Sequence, residues 1–291
     1  MEPILVEVRR GGTVEVVHRV HAVAVRDGEI VAAAGHPDLL TFLRSSAKPF
    51  QALPLAGARA DLADRDLAIA SASHLARPDQ LDAVRALLAK APATEHELEC
   101  GPEPTRIEHN CSGKHAGMLA LCVARGWPKR GYRLADHPVQ RACLAVVAGA
   151  AEVAAERIPT GIDGCGVVTF ALTLERMAHM FARLPVLEDG ARVAAAMRAH
   201  PDLIRGPGAP DTELMRAHEG WAAKGGAEGL LCASGPEGIG LALKVEDGGN
   251  RAVGPSLAAF ADRLGVALPQ LAVASVENSR GERVGEIEAV S

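Results

Sequence analysis

The stretch RSSAKPFQA, residues 44–52, sets two adjacent serines and a lysine directly ahead of a proline. The chain has 10 serines and 6 lysines in 291 residues. By composition a Ser-x-x-Lys pattern should arise only about 0.2 times. Proline is tolerated in the first turn of a helix, whose N–H groups have no intrahelical partner. Pro49 therefore predicts a helix beginning near Ser45, with Lys48 in its first turn. Residues three apart share a face there and residues two apart do not, so Ser45 can meet Lys48 better than Ser46 can. A serine hydroxyl is a poor nucleophile until a base takes its proton. A lysine amine serves once desolvation or nearby cations lower its pKa. Free N–H groups at the helix start could also hold a developing oxyanion. The plain alternative makes Ser45 a helix N-cap and Lys48 a solvated charge.

Outward from this stretch the pattern changes twice. Residues 3–34 read as strands: VEVVHRVHAVAV (14–25) is rich in β-branched residues, and Gly11-Gly12 and Asp27-Gly28 mark turns. The middle carries apolar residues at helical spacing, in windows 78–91, 113–126, 138–156, 172–184 and 191–200. From Ala227 the chain turns extended again: GLLCAS and GIGLALKVED, split by Gly235-Pro236, read as a hairpin. RAVGPSLAAFADRLG (251–265) reads as a helix and RVGEIEAV (283–290) as a last strand. The expectation is an α/β (α+β) fold whose sheet is built from N- and C-terminal strands, with a helical region inserted. It is read as a single domain over 1–291, the sheet region about 1–70 and 220–291 and the helical region about 75–215.

Bulk composition excludes several classes of function. Hydrophobic residues make up 48% of the chain, enough for a large core. The formal net charge of -5 and an aromatic content of 3% leave neither an electrostatic footprint nor a stacking platform for nucleic acid. MEPILVEV is unlike a secretory signal, and the longest apolar run, around Ala142 to Ala151, is too short and broken to span a bilayer. A cytoplasmic address is expected. The cysteines (Cys100, Cys111, Cys122, Cys143, Cys165 and Cys232) are scattered with no CxxC pair and read as free thiols.

Two further segments keep company with Ser45 and Lys48. SASH (71–74) ends the apolar stretch DLAIA, and KGGAEGLLCAS (224–234) runs a Lys-Gly-Gly into a strand. Penicillin-recognising serine enzymes combine Ser-x-x-Lys, a second serine element and a Lys-Thr-Gly strand in that chain order. Here Gly225 stands where Thr or Ser is usual. HNCSGKHAGML (109–119) is more specific. With RGGTVEVVHRVHAV (10–23), RSSAKPFQALP (44–54), ASH (72–74), DGCG (163–166) and DTELMR (211–216), it resembles the L-asparaginase II family, asparaginases with a serine-β-lactamase-like fold. The likeness runs from about residue 9 to about residue 248.

The resemblance implies hydrolysis of L-asparagine to L-aspartate and ammonia, with no required cofactor. Ser45 and Lys48 match the family's first Ser–Lys pair, Ser73 its second serine, and Lys224 the lysine associated with that serine. Members that bind zinc hold it by residues matching Cys111, Lys114 and Cys165. A further cysteine known there falls near Asp211, whose carboxylate zinc would also accept. The resemblance also implies a homodimer.

Two residues carry double readings. Asp163, in the glycine-rich GIDGCG, either makes a local backbone turn or pairs with the substrate α-amino group. His115, four residues after Cys111 on the same helical face, is either a structural hydrogen bonder or an active-site residue. Arg44 is a candidate for the substrate carboxylate. The expected reaction is attack by Ser45 on the side-chain amide, with neutral Lys48 as base and Ser73 as proton relay; the two serines could exchange roles. A glutaminase, a β-lactamase-like amidase and a non-catalytic zinc-binding member are the alternatives. A zinc amidohydrolase lacks support, since the 11 histidines form no HxH or HExxH pattern.

Overall fold

A computed structural model of the chain describes residues 1–290. Its strands are β1 (Ile4–Arg10), β2 (Thr13–Arg26), β3 (Glu29–Ala34), β4 (Leu40–Phe42), β5 (Thr160–Ile162), β6 (Val168–Thr173), β7 (Ala222–Gly226), β8 (Leu230–Ser234), β9 (Ile239–Val245), β10 (Val273–Glu277) and β11 (Arg283–Val290). The helices are α1 (Lys48–Gln51), α2 (Leu53–Ala58), α3 (Asp64–Ala70), α4 (Pro78–Lys90), α5 (Ser112–Arg125), α6 (Pro138–Ala151), α7 (Leu174–Arg183), α8 (Gly190–Ala199), α9 (Pro201–Ile204), α10 (Pro210–Ala217), α11 (Val253–Asp262) and α12 (Pro269–Ala272). The α+β class expected from the sequence is the class observed, with the main sheet drawn from both chain ends.

The chain divides into two compact units. The first takes residues 1–41, 173–182 and 208–291. Its antiparallel sheet runs β10–β11–β1–β2–β9–β8–β7, with β3 also paired to β2. Alternation sets the faces: Ile4, Val6 and Val8 are buried while Leu5, Glu7 and Arg9 are only half-buried, the period-2 signature of a half-covered strand. Val20 to Val25 of β2 are buried on both faces. Helix α11 packs on β1, β9, β10 and β11. Gly240 lets a helix sit tight against β9: a Cβ there would stand 1.9 Å from the Ala178 carbonyl oxygen.

The second unit takes residues 42–172 and 183–207 and is mainly helical. Residues 42–70, counted with the sheet region in the sequence reading, pack here among the helices. Helix α5 is its centre: every residue from Ser112 to Cys122 is buried, so the helix is enclosed all round. A fully enclosed helix that nonetheless carries Lys114 and His115 marks where polar chemistry is housed. Gly113 allows the close approach of α3 and α5, since a Cβ there would lie 2.2 Å from the Ile69 carbonyl oxygen. All six cysteines are free and buried. No helix among the described residues is long and apolar enough to cross a membrane.

Candidate active site

The helical unit brings most of the candidate residues together. Arg44 to Ala47 form a single 3₁₀ turn that leads into α1, with Pro49 in its first turn. The helix expected near Ser45 therefore starts as a tighter turn, and Lys48 opens the α-helical part. Lys48 is fully buried. Its Nζ donates to the Ala72 carbonyl at 2.6 Å and to Ser73 Oγ at 2.8 Å. The amine thus points inward at the SASH element and not into solvent.

Ser45 is placed differently from the expectation. It is half-buried, and its hydroxyl makes no hydrogen bond among the described residues, to Lys48 or otherwise. The cause is the length of the lysine: its four-carbon stem carries the amine past its own turn to the Ala72 carbonyl and the Ser73 hydroxyl. Ser73 is 1% exposed and is seated by its own N–H, which donates to the Ile204 carbonyl at 2.8 Å.

Burial pushes the Lys48 amine below its ordinary 10.5, and the Lys114 charge pushes the same way against opposition from Cys111 and Cys165. The two cysteines share a hydrogen bond, so one ionises easily and the other keeps its proton. That bond, with help from Lys48 and Lys114, holds Cys111 well below the usual thiol range. The same bond, together with burial, raises Cys165. Lys114 Nζ donates to Cys165 Sγ at 2.9 Å. Burial disfavours its ammonium, but the Cys165 sulfur, the Cys111 thiolate and the Asp163 carboxylate outweigh burial and raise its pKa. Two amines of opposite tendency therefore flank one thiol pair, the Lys48 amine inclined to be neutral and Lys114 to be charged.

Asp163 meets both of its sequence readings. Its main chain makes the turn, with the Gly166 N–H donating to its carbonyl at 2.8 Å. Its carboxylate accepts from Arg44 Nε at 2.6 Å, Asp163 being the more deeply set partner. Arg44 has a left-handed backbone, φ 47°. For a bulky residue such a conformation costs roughly 1–3 kcal/mol and tends to be retained at functional sites.

His115 is fully buried. Its Nδ1 sits 2.7 Å from Tyr132 Oη, which already accepts from the Glu99 N–H at 2.8 Å. Tyr132 thus ties His115 to the Glu99 main chain, and the buried Nε2 has no hydrogen-bond partner. Burial and the Lys114 charge keep this imidazole neutral. His74, which the sequence reading passed over, closes the floor: Nδ1 accepts from the Ala76 N–H, so Nε2–H donates to Ser112 Oγ at 2.7 Å. Ser112 passes the bond to the Ile107 carbonyl at 2.7 Å. Burial first, then Lys48, lowers His74 to about 4. Ser112 lay inside the HNCSGKHAGML motif, whereas Tyr132 had no sequence signal at all.

Lys224 and Asp211 belong to the other unit, where they meet each other. Lys224 is fully buried, with Nζ donating to the Gly225 carbonyl at 2.7 Å and lying 3.9 Å from Asp211 Oδ2. Asp211 also accepts from the N–H groups of Gly225 at 2.9 Å and Thr212 at 3.0 Å. Its carboxylate is taken up inside its own unit, which weighs against the fourth-ligand expectation. Cys111, Lys114 and Cys165 do converge, two thiols beside an amine that would have to lose its proton before it could bind a metal. Among the described residues no group of three or more His, Cys, Asp and Glu is arranged to hold a metal.

The family model described as L-asparaginase II matches residues 6–289, nearly the whole chain. The chain belongs to the L-asparaginase II family. Among solved structures, this family member is similar to Mglu in its native form, with a TM-score of 0.50 and 14% sequence identity. The match covers 86% of this chain and 66% of the Mglu chain, and at that identity it speaks for the fold alone. Mglu in its glutamate form is a weaker match, TM-score 0.38 at 16% identity over 86% of this chain and 62% of that one. No curated protein matches the chain in sequence.

Proposed function

We propose that this chain is an amidohydrolase that converts L-asparagine to L-aspartate and ammonia through an ester on Ser45. The observation that carries the reading is the Lys48 amine: fully buried and bonded to Ser73 Oγ and the Ala72 carbonyl. Such an amine is held ready to accept a proton.

Ser45 Oγ attacks the side-chain amide carbon, and its proton passes to Lys48. The C–N bond then breaks, and ammonia leaves with a proton delivered through the Ser73 hydroxyl, which Lys48 replenishes. Water attacks the ester, restores Ser45 and releases aspartate. The Ser45 N–H is suited to steady the tetrahedral oxyanion. Ser45 is favoured as nucleophile because a substrate can reach a half-buried hydroxyl that has no other commitment. The second reading makes Ser73 the nucleophile, favoured by its 2.8 Å bond to the amine. With the amine neutral, that bond can run from the hydroxyl to the nitrogen lone pair.

The neighbouring Arg44–Asp163 pair fits a free amino acid. Its carboxylate accepts from an α-ammonium and its guanidinium donates to an α-carboxylate, so the substrate exchanges one ion pair for two. Asparagine and glutamine differ by one methylene, which an apolar wall alone resolves only about 10–200-fold. Clamping both α-groups fixes how far the amide reaches. When zinc is bound, Cys111, Lys114 and Cys165 would hold it and it would supply a fixed positive charge beside the serines. A role for Lys224 toward Ser73 and the homodimer rest on the sequence resemblance.

Rapid quenching during asparagine turnover, followed by peptide mass spectrometry, tests the reading. An aspartyl ester on Ser45 supports it, one on Ser73 supports the second reading, and turnover without either defeats both.

A further inference from the structure

We propose that Thr169 is a positioning residue whose hydroxyl holds Arg44 in its left-handed conformation and so aims the guanidinium at the substrate α-carboxylate. The inference rests on the reading of Arg44 and Asp163 as the amino-acid clamp.

The argument begins with the backbone. Arg44 has φ 47°, a region that long side chains avoid unless the surroundings hold them there. Two consecutive N–H groups are pinned at this point by two consecutive residues of β6. Leu43 N–H donates to the Phe170 carbonyl at 2.8 Å, and Arg44 N–H donates to Thr169 Oγ1 at 3.1 Å. The first bond is main chain to main chain and any residue at 170 would provide it. The second depends on the side chain at 169.

Thr169 is suited to that task. It is 4% exposed and its main chain pairs with Gly161 across the β5–β6 hairpin. A β-branched side chain in a strand has few rotamers. The threonine methyl lies toward Gly161, where a Cβ would come within 3.7 Å of it. With the methyl seated, the hydroxyl direction is set. The same hairpin carries Asp163 in its turn, between β5 and β6, and Asp163 Oδ1 receives Arg44 Nε at 2.6 Å. One rigid hairpin therefore fixes both the main chain of Arg44 and the counter-ion of its guanidinium.

Steady-state kinetics on asparagine, with calorimetric binding of L-aspartate as a readout independent of turnover, tests this in T169V, T169S, R44Q and R44Q/T169V. Valine keeps the shape and removes the acceptor. The expected result is KM and aspartate Kd raised about tenfold in T169V with kcat within about threefold, the signature of lost ground-state binding. T169S should lie within about threefold of the wild type. In the R44Q background the valine should add less than about twofold, because its effect passes through the guanidinium. Unchanged KM in T169V, equal impairment in T169S, or an undiminished valine effect without Arg44 would each overturn the proposal. If T169V does not fold, T169A is judged by the same comparisons. A wild type that binds no amino acid and releases no ammonia defeats the clamp itself, a result distinct from an active wild type indifferent to residue 169.

Discussion

Replacing Lys48 by methionine separates stability from activity in a way that only a neutral buried amine explains. The stem is retained in length and the charge site is removed. In the unfolded chain the amine has its ordinary 10.5, whereas burial lowers it in the folded protein. An amine that is neutral in the folded protein must surrender its proton on folding, which costs stability. Methionine escapes that cost but leaves the Ala72 carbonyl and Ser73 Oγ without their donor, a loss of about 1–3 kcal/mol. The stability difference between K48M and the wild type should therefore move in favour of K48M as pH falls toward 7. The sign of the pH dependence follows. Between the lowered folded value and 10.5 the unfolded wild type binds more protons, so wild-type stability rises with pH and the gap to K48M closes. Urea denaturation at pH 7, 8 and 9 measures it, with catalysis lowered about 10²–10⁴-fold alongside. A gap that does not change with pH would mean an amine that stays charged in the folded state, and the base assignment would fall.

S45A should lose about four powers of ten in kcat while unfolding within about 0.5 kcal/mol of the wild type, since its hydroxyl has no bond to lose; near-normal turnover would move the ester to Ser73. G113A should destabilise by about 1–3 kcal/mol or more, because the added carbon falls 2.2 Å from the Ile69 carbonyl and α3 and α5 must part; an unchanged Tm would contradict the close approach. His74, lowered to about 4 from 6.5 by burial, is bound by fewer protons when folded. Stability should thus fall as pH drops from 6.5 toward 4, by up to roughly 3 kcal/mol from this residue, and H74Q should flatten that slope in acid-denaturation curves.

The periodic elements were legible because burial imposed the period. The window LTLERMAHMFARL became α7 and GLLCAS with GIGLALKVED became the β8–β9 hairpin. Ends were not. The helical window 138–156 stops at Ala151, where Glu152 turns left-handed at φ 53°, a conformation no residue type there announces. Strand β10, VASVE, is a short edge strand with no buried residue and was missed. Residues 42–70 were grouped with the sheet region, yet their helices pack on α5 and α6.

The site was legible in chemistry and less so in pairing. A Ser-x-x-Lys at a helix start pointed to an activated hydroxyl. That Lys48 would reach the Ala72 carbonyl and the Ser73 hydroxyl, 24 and 25 residues away, depends on tertiary packing that spacing does not encode. For the same reason Asp211 and Lys224, given separate tasks by the resemblance, meet each other. Thr169 and Tyr132 entered only through geometry, because a strand threonine and a loop tyrosine have no pattern of their own.

The most direct test is to stop the enzyme during asparagine turnover and weigh its peptides. An aspartyl mass on the peptide holding Ser45, gone in K48M, is what a hydroxyl deprotonated by an uncharged amine must produce. Ammonia released at full rate with no ester on Ser45 or Ser73 would mean that water attacks the amide directly and that the lysine serves another purpose.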